Sequence, residues 1–124
     1  MRGMDPDRGA AAVEFALVLP ILLLLVCGII DFGRAYNAQI TLAHAARESA
    51  RVWALGGTAA DTTARAQITA TGLSGVTAVT TPCTFGQPTT VTVTATFGFA
   101  TPLIADLAPG LTSLSAEGVM RCGG

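Results

Sequence analysis

Few residues in this chain are equipped for chemistry, and those few stand far apart. His44 is the only histidine, and Cys27, Cys83 and Cys122 are the only cysteines, among 124 residues. They form no cluster at metal-ligand spacing and no His-based nucleophile system, so no catalytic residue, metal or other cofactor is expected. Glu14 is different. It stands directly before Phe15–Ile30, sixteen residues without a charge, and five residues after Gly9. A carboxylate one turn into a membrane helix is costly unless something pairs with it. The chemistry open to Glu14 is therefore ion pairing with a cation. The blander alternative is that it snorkels to the interface, where the start of a helix favours an acid.

Composition narrows the function classes. The chain is 51% apolar and only 12% charged, with seven basic residues (all Arg) against eight acids and a net charge of −1. Nucleic-acid binding has no electrostatic footprint here. The length allows one small domain plus an anchor.

The anchor is the apolar run. Counted from Ala10 to Ile30 it is 21 residues, which at ~1.5 Å each crosses a ~30 Å hydrocarbon core. A buried core helix this apolar all round would need a larger protein around it. A cleaved secretory signal would need a small-x-small site, which Cys27-Gly28-Ile29-Ile30 does not supply. In Leu24-Leu25-Val26-Cys27, which resembles a lipoprotein box, Val26 stands where a small residue is wanted. A retained membrane helix remains, with Pro20 inside it removing the hydrogen bond to Ala16 and kinking the axis.

Beyond the membrane the periodicity continues. Tyr36, Ile40, Ala43, Ala46, Ala50 and Trp53 share one arc, with Asn37, Thr41, His44, Glu48 and Arg51 opposite. His44/Glu48 and Arg47/Arg51, each four apart, read as a solvated face rather than a site. Leu55-Gly56-Gly57 ends the helix, giving one rod over residues 11–55. Thr58-Ala59-Ala60-Asp61 reads as a capping box opening a short helix that Gly72 closes. Candidate strands are Val76–Thr81, Val91–Phe97 and Ser113–Arg121, with Pro102–Leu107 as a loop or short helix. The expected fold is α+β: a long N-terminal helix, membrane-spanning in its first half, followed by a small antiparallel β-sheet ectodomain. About 69 residues make a thin core, which a disulfide would help. A Cys83–Cys122 bridge closes a loop of about 40 residues and contributes roughly 4 kcal/mol by loop-closure entropy. Two free thiols are the alternative. Cys27 reads as a lipid-facing or packing residue.

Arg8-Gly9-Ala10-Ala11-Ala12-Val13-Glu14-Phe15 resembles a type IV prepilin signal: a short polar leader ending in Gly, cleavage after it, and Glu five residues on. Glu14-Phe15-Ala16-Leu17-Val18-Leu19-Pro20, Leu22 to Leu25, and Gly28-Ile29-Ile30-Asp31-Phe32-Gly33-Arg34 are similar to the N-terminal signature of TadE-like proteins. These are pseudopilins of the tight-adherence (Tad, Flp) pilus systems of bacteria and archaea. The resemblance is dense over residues 8–54 and general after that. TadG-like proteins share the module, and the short ectodomain favours the TadE side.

The resemblance implies a division into leader (1–9), transmembrane helix (10–33), amphipathic extension (34–55) and ectodomain (56–124). It implies cleavage between Gly9 and Ala10, with Glu14 and Phe15 serving processing and assembly. The freed Ala10 amine is then a cation that a neighbour's Glu14 can meet. Implied partners are the prepilin peptidase, other pilins and pseudopilins, an inner-membrane platform with its secretion ATPase, and membrane lipid. The implied function is support of pilus biogenesis, hence adhesion and surface colonisation. The alternative is an unprocessed single-pass protein displaying a small extracytoplasmic binding domain. Arg2 and Arg8 are offset by Asp5 and Asp7, and Arg34 and Arg47 follow the helix closely, so charge alone leaves topology balanced. The leader and the cysteine pair favour a cytoplasmic leader and an outer ectodomain.

Overall fold

A computed structural model describes residues 6–123. The expected leader residues Arg2 and Asp5 lie outside them. Helix α1 runs from Pro6 to Ala54, 49 residues, or about 74 Å. It starts five residues before the expected rod. Proline suits a first helical turn, Asp7 complements the dipole there, and Arg8 to Ala12 contain nothing stronger than one glycine to break it. Its other end stops where the glycines demand. Gly57 N–H donates to the Val52 carbonyl at 3.0 Å and Gly56 N–H to that of Trp53 at 3.1 Å. Gly56 takes φ +90°. That is a Schellman stop, and only glycine adopts its left-handed residue without strain.

The first half of α1 touches almost nothing else in the chain. Phe15, Leu17 and Ile21 are among many large apolar side chains left exposed. By length and composition, α1 is the one helix among the described residues able to cross a membrane.

The second half is covered. Strands β1 (Ser74–Thr80), β2 (Pro88–Thr96) and β3 (Ser113–Arg121) form an antiparallel sheet in that order. Helix α2 (Ala59–Thr69) and the end of α1 make the opposing layer. The α+β architecture expected from the sequence is therefore present: a two-layer domain around one core. Val91, Val93 and Ala95 on β2 alternate inward, with Val93 between Ala78 and Ala116. The outward threonines are half-buried or exposed, and Thr77 and Thr94 join hydroxyls across the strands at 2.7 Å. The strand starts differ from expectation by two to three residues, and β3 matches it. A register shift between Ser74 and Thr77, with Gly75 at φ +62°, lets β1 begin earlier than Val76.

The inward face of α1 is rotated from the expected arc. Ala46 and Ala50 are buried as expected, but Tyr36 and Ile40 are 63% and 45% exposed. Ala38, Leu42, Ala45 and Ser49 take the core positions instead. The sheet rests on a face that is small apart from Leu42, and Tyr36 and Ile40 at its centre would hold it away. The closest approach is at Gly118 on β3, where an added Cβ would run into the Ala46 backbone and lie 2.9 Å from the Arg47 nitrogen.

Ser49 has a consequence for stability. Its hydroxyl is buried in that core and has no hydrogen-bond partner. Ser49→Ala should therefore stabilise the domain by about 1 kcal/mol, by removing an unsatisfied polar group from a helix. A thermal melt of the full chain in detergent checks this, and a lower midpoint for the variant would contradict it.

Helix α2 opens on the expected capping box. Thr58 Oγ accepts from Asp61 N–H, and the Asp61 carboxylate accepts from Thr58 N–H and its hydroxyl. Those Thr58 bonds hold the Asp61 carboxyl below the usual aspartate range. A disulfide joins Cys83 to Cys122, with Cα atoms 5.7 Å apart, while Cys27 is free and exposed on α1.

Candidate functional site

The polar centre of the molecule is built on Asp31, the first charge after the apolar run. Its carboxylate is 2% exposed on the side chain. One oxygen accepts from Ala100 N–H at 2.9 Å and the other from Thr101 N–H at 3.0 Å. Arg34, one helical turn on, donates to the first oxygen at 3.2 Å. Arg34 also reaches the Gly98 carbonyl at 3.4 Å, and its guanidinium lies 5.4 Å above the Phe97 ring. Phe97 meets Phe99 edge to face at 5.3 Å. The result is a clamp in which one carboxylate holds two successive backbone donors of the loop between β2 and helix α3 (Pro102–Leu107). Charge-assisted bonds of this kind are about twice as strong as neutral ones.

A second tie closes the far end of α1. Gly123 N–H donates to the Ala54 carbonyl at 2.9 Å, using an acceptor left over at the helix terminus. Between the two, Gln39 donates to the Ser115 carbonyl at 2.8 Å and Trp53 Nε1 to that of Thr81 at 2.9 Å. The sheet domain lies along residues 31–54 of α1, fixed at both ends.

The residues singled out in the sequence fall elsewhere. Gly9, Ala10, Glu14 and Phe15 lie exposed on α1. A Cβ at Gly9 would meet nothing within 4 Å, so packing does not explain the glycine. Pro20 sits inside α1. Cys83 and Cys122 lie at the opposite end of the molecule, beside a cleft of about 490 Å³ lined by Trp53, Gly57 and Phe85 among others. None of these approaches Asp31. His44, Arg47, Glu48 and Arg51 are exposed, and Asp31–Arg34 is the one ion pair among the described residues.

In the sequence Asp31 and Arg34 stand only within the TadE-like signature and do not announce a site. Their signal was position: an acid and a base one turn apart, where the apolar run ends. Their partners are 69 and 70 residues away in the chain, and local periodicity carries no trace of such pairing. The arrangement positions the loop before α3 against α1. Among the described residues no group of three His, Cys, Asp or Glu gathers to hold a metal.

No curated protein and no solved structure matches the chain. Residues 9–51, the stretch that runs from Gly9 through Glu14, Pro20 and the Asp31 clamp into the helical face beneath the sheet, match the family model TadE, that of TadE-like proteins.

Proposed function

We propose that this chain is a pseudopilin, or minor pilin-like protein, that supports biogenesis of a Tad/Flp-type pilus and so adhesion and surface colonisation. The match of residues 9–51 to TadE-like proteins carries the reading. It sits in the cytoplasmic membrane by residues 10–33, with leader 1–9 in the cytoplasm. The extension 34–55 and ectodomain 56–124 stand outside, with incorporation in a surface pilus as the end state. Its partners are the prepilin peptidase, other pilins and pseudopilins, and the inner-membrane platform with its secretion ATPase. Two observations support lateral packing. Ile29, Tyr36 and Ile40 are exposed along one side of α1. Glu14 is exposed on α1, open to a neighbouring helix.

Processing is the direct test. Gly9 lies in the first turn of α1, where one glycine costs the helix ~1 kcal/mol relative to alanine and eases local unwinding for a protease. The chain from native cells with an active prepilin peptidase should begin at Ala10 by intact mass. Gly9→Arg should abolish that cleavage. A mature chain that still begins at Met1 would defeat the reading in favour of an unprocessed single-pass protein.

A further expectation concerns Glu14. Glu14→Ala should insert and be cleaved yet assemble poorly, because the neighbour's Ala10 amine loses its partner in low dielectric. Stranding one member of a buried pair costs roughly 3–5 kcal/mol, and ~1.4 kcal/mol already shifts an equilibrium tenfold. Surface piliation and cross-linking to other pilins measure it. Normal values for both, in a strain that needs the protein for both, would remove Glu14 from assembly.

A further inference from the structure

We infer that helix α3 and the 3₁₀ turn after it (Pro109–Leu111) form a lipid-seated foot, which rests the ectodomain on the outer bilayer surface. The inference rests on the reading of α1 as membrane-spanning. It begins from depth. Within the 10–33 segment the charge-free run ends at Ile30, and with the hydrocarbon edge there Gly28 lies two residues inside it, or about 3 Å along the axis. Ile104 of α3 reaches that level, its Cδ1 lying 4.0 Å from where a Gly28 Cβ would be. The Asp31 carboxylate fixes this depth, because it holds the N–H groups of Ala100 and Thr101 immediately before α3. The foot therefore cannot ride higher on the helix without breaking the clamp.

Its composition suits that level. Leu103, Leu107 and Leu111 are 49%, 76% and 60% exposed. Leu103 and Leu107 are four apart, so they share one face of the short helix. Asp106 is the only charge in Pro102–Leu111, and Arg34 stands beside the clamp at headgroup level. A largely apolar cleft of about 380 Å³ lies between the foot and α1, lined by Gly28, Phe32, Phe99, Ile104 and Leu111, with Asp31 at its polar side. In water such a patch is a liability. It is continuous with the exposed apolar surface of α1, and that continuity selects lipid as the occupant. Short amphipathic elements of this kind bury their apolar face some 5–10 Å into the boundary between headgroups and acyl chains.

The test uses the full chain in phosphatidylethanolamine–phosphatidylglycerol vesicles, in a Cys27→Ala background so that one introduced thiol carries a polarity-sensitive fluorophore. Leu107→Cys should show blue-shifted emission. Spin-labelled lipid should quench it more strongly with the label near the headgroup end of the acyl chain than near its methyl end. Thr92→Cys, on the outer sheet face, should be unaffected by either lipid, and Ile21→Cys should be quenched best by the deep label. Quenching at position 21 without quenching at position 107 would overturn the foot while leaving the span intact. The same result with disulfide-linked dimers of the Leu107→Cys chain would assign the leucines to a second copy instead, and equally overturn it. Absence of quenching at position 21 would remove the membrane reading and the foot together.

Discussion

Gly118→Val should prevent the sheet from closing on α1. The atoms in the way are the Ala46 carbonyl and the Arg47 nitrogen, which are helix backbone rather than the tip of a movable side chain. Overpacking a core usually costs about 1–3 kcal/mol because neighbours shift. Here the neighbour is a hydrogen-bonded helix, and the position opposite is already alanine, so no truncation makes room. A small domain has only about 5 kcal/mol in hand. The expected outcome is loss of the cooperative thermal transition expected of the native chain, with the helical signal of α1 largely kept. Gly118→Ala should lower the midpoint without abolishing the transition. Gly110→Ala, where a Cβ meets nothing within 4 Å, should leave it in place. A native midpoint for Gly118→Val would mean that β3 does not approach the helix as described.

The second large effect is expected at Asp31. Asp31→Ala leaves the Ala100 and Thr101 N–H groups without their acceptor and Arg34 without its partner. The half-exposed Arg34 can turn to solvent, so the loss falls on the two backbone donors of the loop, which keep no acceptor. Asp31→Asn should not rescue, because its amide offers one acceptor and adds two donors where two donors already point. The damage should be local. In hydrogen exchange the Ala100 and Thr101 amides should lose their protection, while those of Val91 and Val93 in the sheet keep theirs. Unchanged protection at residues 100 and 101 would show that something else holds the loop.

These two residues mark where sequence reasoning stopped. The glycines at the end of α1, the Thr58–Asp61 box and the alternation in Val91–Phe97 are local signals, each complete within a few neighbours. They translate directly into a Schellman stop, a capped α2 and a central strand. Gly118 looks like any strand glycine until the position of α1 is known. The arc from Tyr36 to Trp53 locates two of the buried alanines, Ala46 and Ala50, but not the rotation that puts Ala38, Leu42, Ala45 and Ser49 beside them. Tyr36 and Ile40 are the more apolar by size, yet the sheet chose the alanine side, where backbones come close. Asp31 was visible as a charge at the end of the apolar run, but nothing near it in sequence names a loop 69 residues away.

The two ties between α1 and the sheet domain carry a mechanical consequence. The Asp31 carboxylate grips one end of the domain and the Ala54 carbonyl the other, about 35 Å apart along the axis. Residues 31–54 join the apolar half of α1 to the sheet as one continuous helix, so the two turn together as a lever arm. A change of about 10° in the direction of the helix axis swings the Ala54 end by roughly 6 Å relative to Asp31, sheet included. Torque applied to residues 10–30 is thereby delivered to the sheet as angular displacement, which a domain on a loose tether could not receive.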